Sequence, residues 1–80
     1  AMNNKQNKQV NSKPEIQLRE KEVELLRWSC TELTYKEIAA KMNLSPKTID
    51  GYRESLFEKL ELHSRVGMAV YAIRHGIFKI

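Results

Sequence analysis

Eighty residues suit one small domain, and their formal charge of +4 at pH 7 is unevenly spread. Lys5, Lys8 and Lys13 lie in the opening stretch, residues 15–34 are net acidic and residues 35–80 net basic. That asymmetry says more about a polyanionic partner than the total does. No apolar run nears the ~18–20 residues of a membrane span, no signal-peptide pattern appears, and Cys30 stands alone; a disulfide framework and a membrane partner are excluded, and a cytoplasmic chain is expected.

Residues 1–14 are mostly Asn, Gln and Lys, with too little apolar surface to offset their ordering entropy. They are expected to be a flexible linker or tag remnant, which leaves residues 15–80 as the folded domain. There the 3.6-residue period dominates and strand-like alternation is absent, so a compact all-α fold of four short helices is expected. The first covers about 18–30. Leu18, Val23, Leu25, Leu26, Trp28 and Cys30 are its apolar positions, and Arg19, Glu20, Lys21, Glu24 and Arg27 lie largely outward. Cys30, near Trp28 and Leu26, is expected to be a buried, inert thiol. The second covers 34–42. Thr34-Tyr35-Lys36-Glu37 matches a capping box, Ile38, Ala39 and Met42 form the inner face, and Asn43 suits the left-handed residue that ends a helix.

The third helix, 46–60, has the clearest start: Ser45 as N-cap and Pro46 at the first helical position, where its missing N–H costs nothing. Ile49, Tyr52, Leu56 and Leu60 then recur at spacings of three and four. The fourth, 64–75, opens on Ser64 and stops at Gly76, with Ile77 supplying the accompanying apolar contact. It is apolar nearly all round. Val66, Ala69, Val70 and Ile73 are expected to face the core, which leaves Gly67, Met68 and Tyr71 as a stripe for dimerisation. The plainer alternative is an exposed Met and Tyr that the domain tolerates.

The second helix, the turn Asn43-Leu44-Ser45 and the third helix carry the parts of a helix-turn-helix. Ala39 and Ala40 are small residues for the crossing, Leu44 anchors the turn, and Ile49, Leu56 and Leu60 make the second helix amphipathic. Many helical hairpins share that pattern, so the outward stripe carries more weight. Lys47, Asp50, Gly51 and Glu54 lie opposite the core positions and would face a DNA major groove. A glycine inside a helix costs ~1 kcal/mol relative to Ala. On the polar side, close approach to a base edge explains Gly51 better than helix packing does. Asp50 and Glu54 repel phosphates and read plainly as a solvated face. An acid in the groove can nevertheless accept a hydrogen bond from cytosine N4, worth ~1–3 kcal/mol of discrimination. Phosphate contacts are expected from backbone N–H groups at the start of the third helix and from the Ser45 and Thr48 hydroxyls. Lys36, Lys47, Tyr52, Arg53 and Arg65 are expected to add to them, whereas Lys41 and Lys79 read as solvated charges.

These residues carry a resemblance. Leu33-Thr34-Tyr35-Lys36-Glu37-Ile38-Ala39, then Leu44-Ser45-Pro46-Lys47-Thr48-Ile49, then Lys59-Leu60 resemble the LuxR/GerE-type helix-turn-helix. Leu18 to Glu22 is similar to that family's opening leucine-Ser/Thr-x-Arg-Glu, with Arg19 in place of the Ser or Thr. Ser64-Arg65, Ala69, Tyr71-Ala72 and His75-Gly76-Ile77 resemble its fourth helix. The resemblance implies a four-helix DNA-binding domain of a bacterial transcription regulator, with the third helix in the major groove and the fourth mediating a homodimer. It also implies a NarL/FixJ-type response regulator with a receiver domain on the N-terminal side, and RNA polymerase as a further candidate partner. Asp50 and Glu54 stand where better-known members often carry Lys, and Tyr52 replaces a frequent His.

No enzyme and no cofactor is expected. His63 and His75 lack paired carboxylates beside them, and neither a Gly-rich phosphate loop nor a metal-ligand cluster appears. Two alternatives stay open: the fourth region of a sigma factor, which would end soon after the third helix, and a helical protein-interaction module with no DNA role.

Overall fold

The computed structural model describes residues 16–80, so the linker expectation for residues 1–14 lies outside the described residues. Four helices follow one another: α1 (Glu20–Trp28), α2 (Tyr35–Met42), α3 (Pro46–Leu60) and α4 (Arg65–Arg74). No strand occurs among the described residues, in keeping with the all-α expectation.

Local chemistry sets the helix ends. At α2 the Thr34 hydroxyl accepts the Glu37 N–H at 3.1 Å while the Glu37 carboxylate accepts the Thr34 N–H at 2.8 Å, a reciprocal capping box. Asn43 then turns left-handed (φ 62°), and the N–H groups of Asn43 and Leu44 return to the Ala40 and Ala39 carbonyls at 3.1 and 2.9 Å. At α3 the Ser45 hydroxyl accepts the Thr48 N–H at 3.1 Å. Its far end uses the same left-handed device at Glu61 (φ 56°), with Leu62 N–H donating to the Phe57 carbonyl at 2.9 Å. A glutamate gives no sequence signal for that conformation. At α4 Ser64 caps the start, and Gly76 (φ 72°) ends it with Ile77 N–H on the Ala72 carbonyl at 2.8 Å.

The first helix is shorter than its apolar pattern suggests. Arg19 is extended and its N–H donates to the Glu22 carboxylate at 2.8 Å, which fixes the start at Glu20. Beyond Trp28, the Ser29 and Thr31 hydroxyls donate to the Leu25 and Trp28 carbonyls at 2.8 and 2.6 Å. Such local bonds compete with helical continuation, and the chain turns there.

α1 packs against α3 and α4, and α2 against α3. Their shared core is Leu25 and Leu26 from α1, Ile38, Ala39 and Met42 from α2, Ile49 and Leu56 from α3, and Met68 and Ala72 from α4. Leu18, Trp28, Leu44, Tyr52 and Leu60 are half-buried against it. Of the two alanines expected at the α2–α3 crossing, Ala39 is buried and Ala40 exposed.

The rotational setting of α4 corrects the expectation. Met68 is fully buried, so it belongs to the core rather than to an outward stripe. Gly67 and Tyr71 are half-buried: a Cβ on Gly67 would stand 3.4 Å from Leu62, and the Tyr71 ring stacks on His75 at 4.0 Å. The outward apolar positions are Val66, Val70 and Ile73, 70%, 44% and 40% exposed, three of the four residues expected inside. With apolar side chains on nearly every side, the helical period alone cannot choose which face turns in. Packing chooses Met68 and Ala72, one turn apart, with the Met68 sulfur 3.9 Å from the Ser29 hydroxyl of the α1 cap.

Candidate nucleic-acid interface

The exposed ridge of α3 begins at its cap. Ser45, Pro46, Lys47, Thr48, Asp50, Gly51 and Glu54 are all exposed, while Ile49 and Leu56 of the same helix are buried. The helix therefore presents the sequence-expected polar stripe outward. A Cβ added to Gly51 would meet nothing within 4 Å, so no packing inside the domain requires a glycine there. At the N-terminus the Ser45 and Thr48 hydroxyls lie 2.9 Å apart, and Pro46 contributes no N–H. Donors for an anion are accordingly the hydroxyl pair and Lys47 rather than a row of free amides. Lys36 is exposed on the first turn of α2.

The two arginines expected to reach DNA are held within the domain. Arg53 bonds Asp50 one turn earlier, Nη1 to Oδ1 at 2.8 Å, and its guanidinium lies 4.2 Å from the centre of the Tyr35 ring. Its Nε is buried and has no hydrogen-bond partner. Arg65 also lies over Tyr35, at 5.1 Å, and donates to the Ser29 and Thr31 carbonyls at 3.2 and 2.6 Å. It thus ties the start of α4 to the loop after α1. Tyr52 is half-buried with Arg19 at 5.0 Å over its ring.

What sequence reasoning missed is Glu22, which is fully buried. Its carboxylate accepts from Lys59 at 2.9 Å, from the Ser55 hydroxyl at 2.6 Å, and from the Arg19 backbone and guanidinium at 2.8 and 3.2 Å. Burial acts upward on its pKa, but the hydrogen bonds from Lys59, Ser55 and Arg19 together outweigh it and hold the group down at about 2. The network joins the start of α1 to the C-terminal half of α3, the helix that carries the ridge. A signal was present: Glu22 shares the helical stripe of Leu18, Leu25, Leu26 and Ser29, at positions an ordinary surface acid would not occupy. Cys30 is half-buried; burial raises its pKa and nearby Arg65 acts the other way, leaving a thiol above its ordinary value and thus poorly nucleophilic.

Among the described residues no group of three or more His, Cys, Asp or Glu could hold a metal ion, and no helix is long and apolar enough to cross a membrane. The site is an exposed polar ridge on the α2–α3 hairpin.

Comparison with known proteins agrees with that geometry. Residues 17–72 match the family described as bacterial regulatory proteins, luxR family. The chain is 38% identical over 64 residues to the response regulator UvrY of Escherichia coli (strain K12), covering 80% of this chain and 29% of that protein. It is 39% identical over 69 residues to the response regulator GacA of Pseudomonas syringae pv. syringae, covering 86% of this chain and 32% of that protein. It is also 39% identical over 63 residues to the Fimbriae Z protein of Salmonella typhimurium, covering 79% and 30%. The chain thus spans less than a third of the length of these relatives. No solved structure matches it significantly. With the family match running from the residue before Leu18 through Ala72, across all four helices, the chain belongs to the luxR family of bacterial regulatory proteins, DNA-binding regulators of transcription rather than enzymes.

Proposed function

We propose that this domain binds double-stranded promoter DNA sequence-specifically, with α3 in the major groove, as the effector domain of a longer response regulator. The observation that carries the reading is the α3 ridge. A helix anchored by Ile49, Leu56 and the Glu22 network presents Lys47, Asp50, Gly51 and Glu54 to solvent, with open space at Gly51 where a base pair could come close. Lys36, Lys47, Tyr52 and the Ser45–Thr48 hydroxyl pair serve the phosphates on either side. Arg53 and Arg65 are better suited to holding the site than to phosphate contact, because their guanidinium groups already have partners.

In this reading a receiver domain precedes the segment on the N-terminal side, as the response-regulator names of the relatives suggest, and residues 1–14 lead from it. Two copies bind together through α4, using the exposed Val66, Val70 and Ile73 in place of the Gly67, Met68 and Tyr71 stripe. RNA polymerase is a partner of the assembled complex. Selection of bound sequences from a random duplex pool, followed by a salt titration on the selected site, tests the core of this reading. A sequence preference and a fall of log K with log salt, roughly −0.9 per phosphate contacted, are expected. A dimerised chain that enriches no sequence and shows no salt-dependent binding refutes it and favours a protein-interaction module. Sedimentation of the full regulator with Val66→Asp tests the α4 contact: wild-type self-association that the variant retains unchanged places the dimer elsewhere.

A further inference from the structure

The two acids of the α3 ridge differ in their surroundings. Glu54 has no ion-pair partner among the described residues, whereas Asp50 is held by Arg53 at 2.8 Å. The pair is lopsided: the Asp50 side chain is 61% exposed and that of Arg53 only 30%. The guanidinium rests on the Tyr35 ring at 4.2 Å, with its Nε buried and no hydrogen-bond partner, and the Phe57 ring is 6.0 Å away. Tyr35 in turn lies under Arg65, which the Ser29 and Thr31 carbonyls fix in place. A row of contacts therefore runs from the loop after α1 through Arg65 and Tyr35 to Arg53, and ends on one carboxylate facing outward. An arginine meant for a phosphate would extend into solvent. This one is seated inward and turns its fork toward its neighbour on the helix.

We propose that Arg53 is a positioning residue for sequence readout. It holds the Asp50 carboxylate in one orientation on the ridge, ready to accept a hydrogen bond from the exocyclic amino group of a cytosine. It also offsets the negative charge that would otherwise be repelled by the flanking phosphates. The inference rests on the proposed placement of α3 in the major groove. It departs from a direct phosphate role for Arg53, under which loss of the side chain would weaken every sequence alike and lower the salt slope by about 0.9.

The test uses the whole chain and the duplex it selects, with each base pair of the site replaced in turn. Asp50→Asn identifies the base pair that Asp50 reads, as the position where wild-type discrimination of about fivefold or more collapses. Arg53→Met keeps the aliphatic stem on Tyr35 and removes the fork. It is expected to flatten discrimination at that same base pair, to leave the other positions discriminating, and to add nothing to Asp50→Asn when the two are combined. Arg53→Lys, which keeps the charge without the fork, is expected to restore overall affinity and not the discrimination. Thermal unfolding of each variant checks that the fold persists, and the Arg53→Lys profile at the base pair found with Asp50→Asn decides the matter should Arg53→Met unfold. Uniform loss across all sequences, discrimination retained in the Arg53 variants, or Asp50→Asn leaving every position unchanged would each overturn the assignment while leaving DNA binding intact. A wild-type chain that selects no sequence would overturn both.

Discussion

Replacing Glu22 by Gln removes the charge at the centre of the network that sets α3. The side chain is fully buried and accepts four hydrogen bonds, two of them from Lys59 and Arg19 side chains that are 34% and 60% exposed. Its folded pKa is about 2, against an ordinary value of 4.5. At about 1.4 kcal/mol per unit, that difference favours the charged form in the folded state by about 3 kcal/mol. Because both cations are partly in water and recover hydration when the carboxylate is lost, about 2 kcal/mol is expected at pH 7. Stabilisation of this sign is complete above pH 4.5, fades as the pH falls from 4.5 toward 2, and is absent below 2. Glutamine cannot replace it, since its amide nitrogen brings a donor to a site already crowded with donors. Domains of this size have only about 3–10 kcal/mol in total, so the midpoint should fall by about 8–16 °C at pH 7. Urea unfolding followed by Trp28 fluorescence at pH 7, 5 and 3.5 measures the gap. A gap that is absent at pH 7, or that stays constant down to pH 3.5, refutes the electrostatic reasoning.

Three further outcomes follow from local geometry. Gly51→Ala should raise stability by about 1 kcal/mol, since the new Cβ meets nothing within 4 Å and the helix gains propensity; a calorimetric midpoint below wild type would contradict that. Glu61→Gly should be stabilising by up to about 1 kcal/mol, because φ at that residue is 56° and only glycine adopts it without steric cost; chemical denaturation reads the sign. Met68→Ala should cost about 2–5 kcal/mol, whereas Val66→Ala should stay within about 0.5 kcal/mol in the monomer; equal losses would return Val66 to the core.

The parts of this domain that were legible in the sequence are those specified by neighbours in the chain. The Thr34–Glu37 capping box, Ser45–Pro46, Asn43 and Gly76 each act within a few residues, and the structure has each where the pattern set it. The polar face of α3 was legible for the same reason, because its buried side has one clear stripe. The setting of α4 was not, since Val66, Met68, Val70 and Ile73 are all apolar and only the partner surface of α1 distinguishes them. The buried place of Glu22 and the inward seat of Arg53 were not legible for a related reason. The apolar stripe of α1 marks Glu22 as unusual, but which groups surround an acid or a base is not written near it in the chain. Lys59, Ser55, Tyr35 and Arg65 come from other helices, and no short-range spacing announces them. The end of α1 was overrun because Trp28 and Cys30 continue the apolar period, while the hydroxyls of Ser29 and Thr31 turn the backbone away from it.

The central claim is that the ridge around Gly51 touches the bases. Gly51→Leu tests it most directly, because the site is open inside the domain and the substitution affects little besides what docks there. Affinity of wild type and variant for the selected duplex and for a scrambled one, measured alongside their thermal midpoints, gives the answer. An unchanged or higher midpoint with specific binding lost, and non-specific binding retained, is the expected result. Specific binding at wild-type strength in the folded variant would contradict the claim and move the contact surface away from α3.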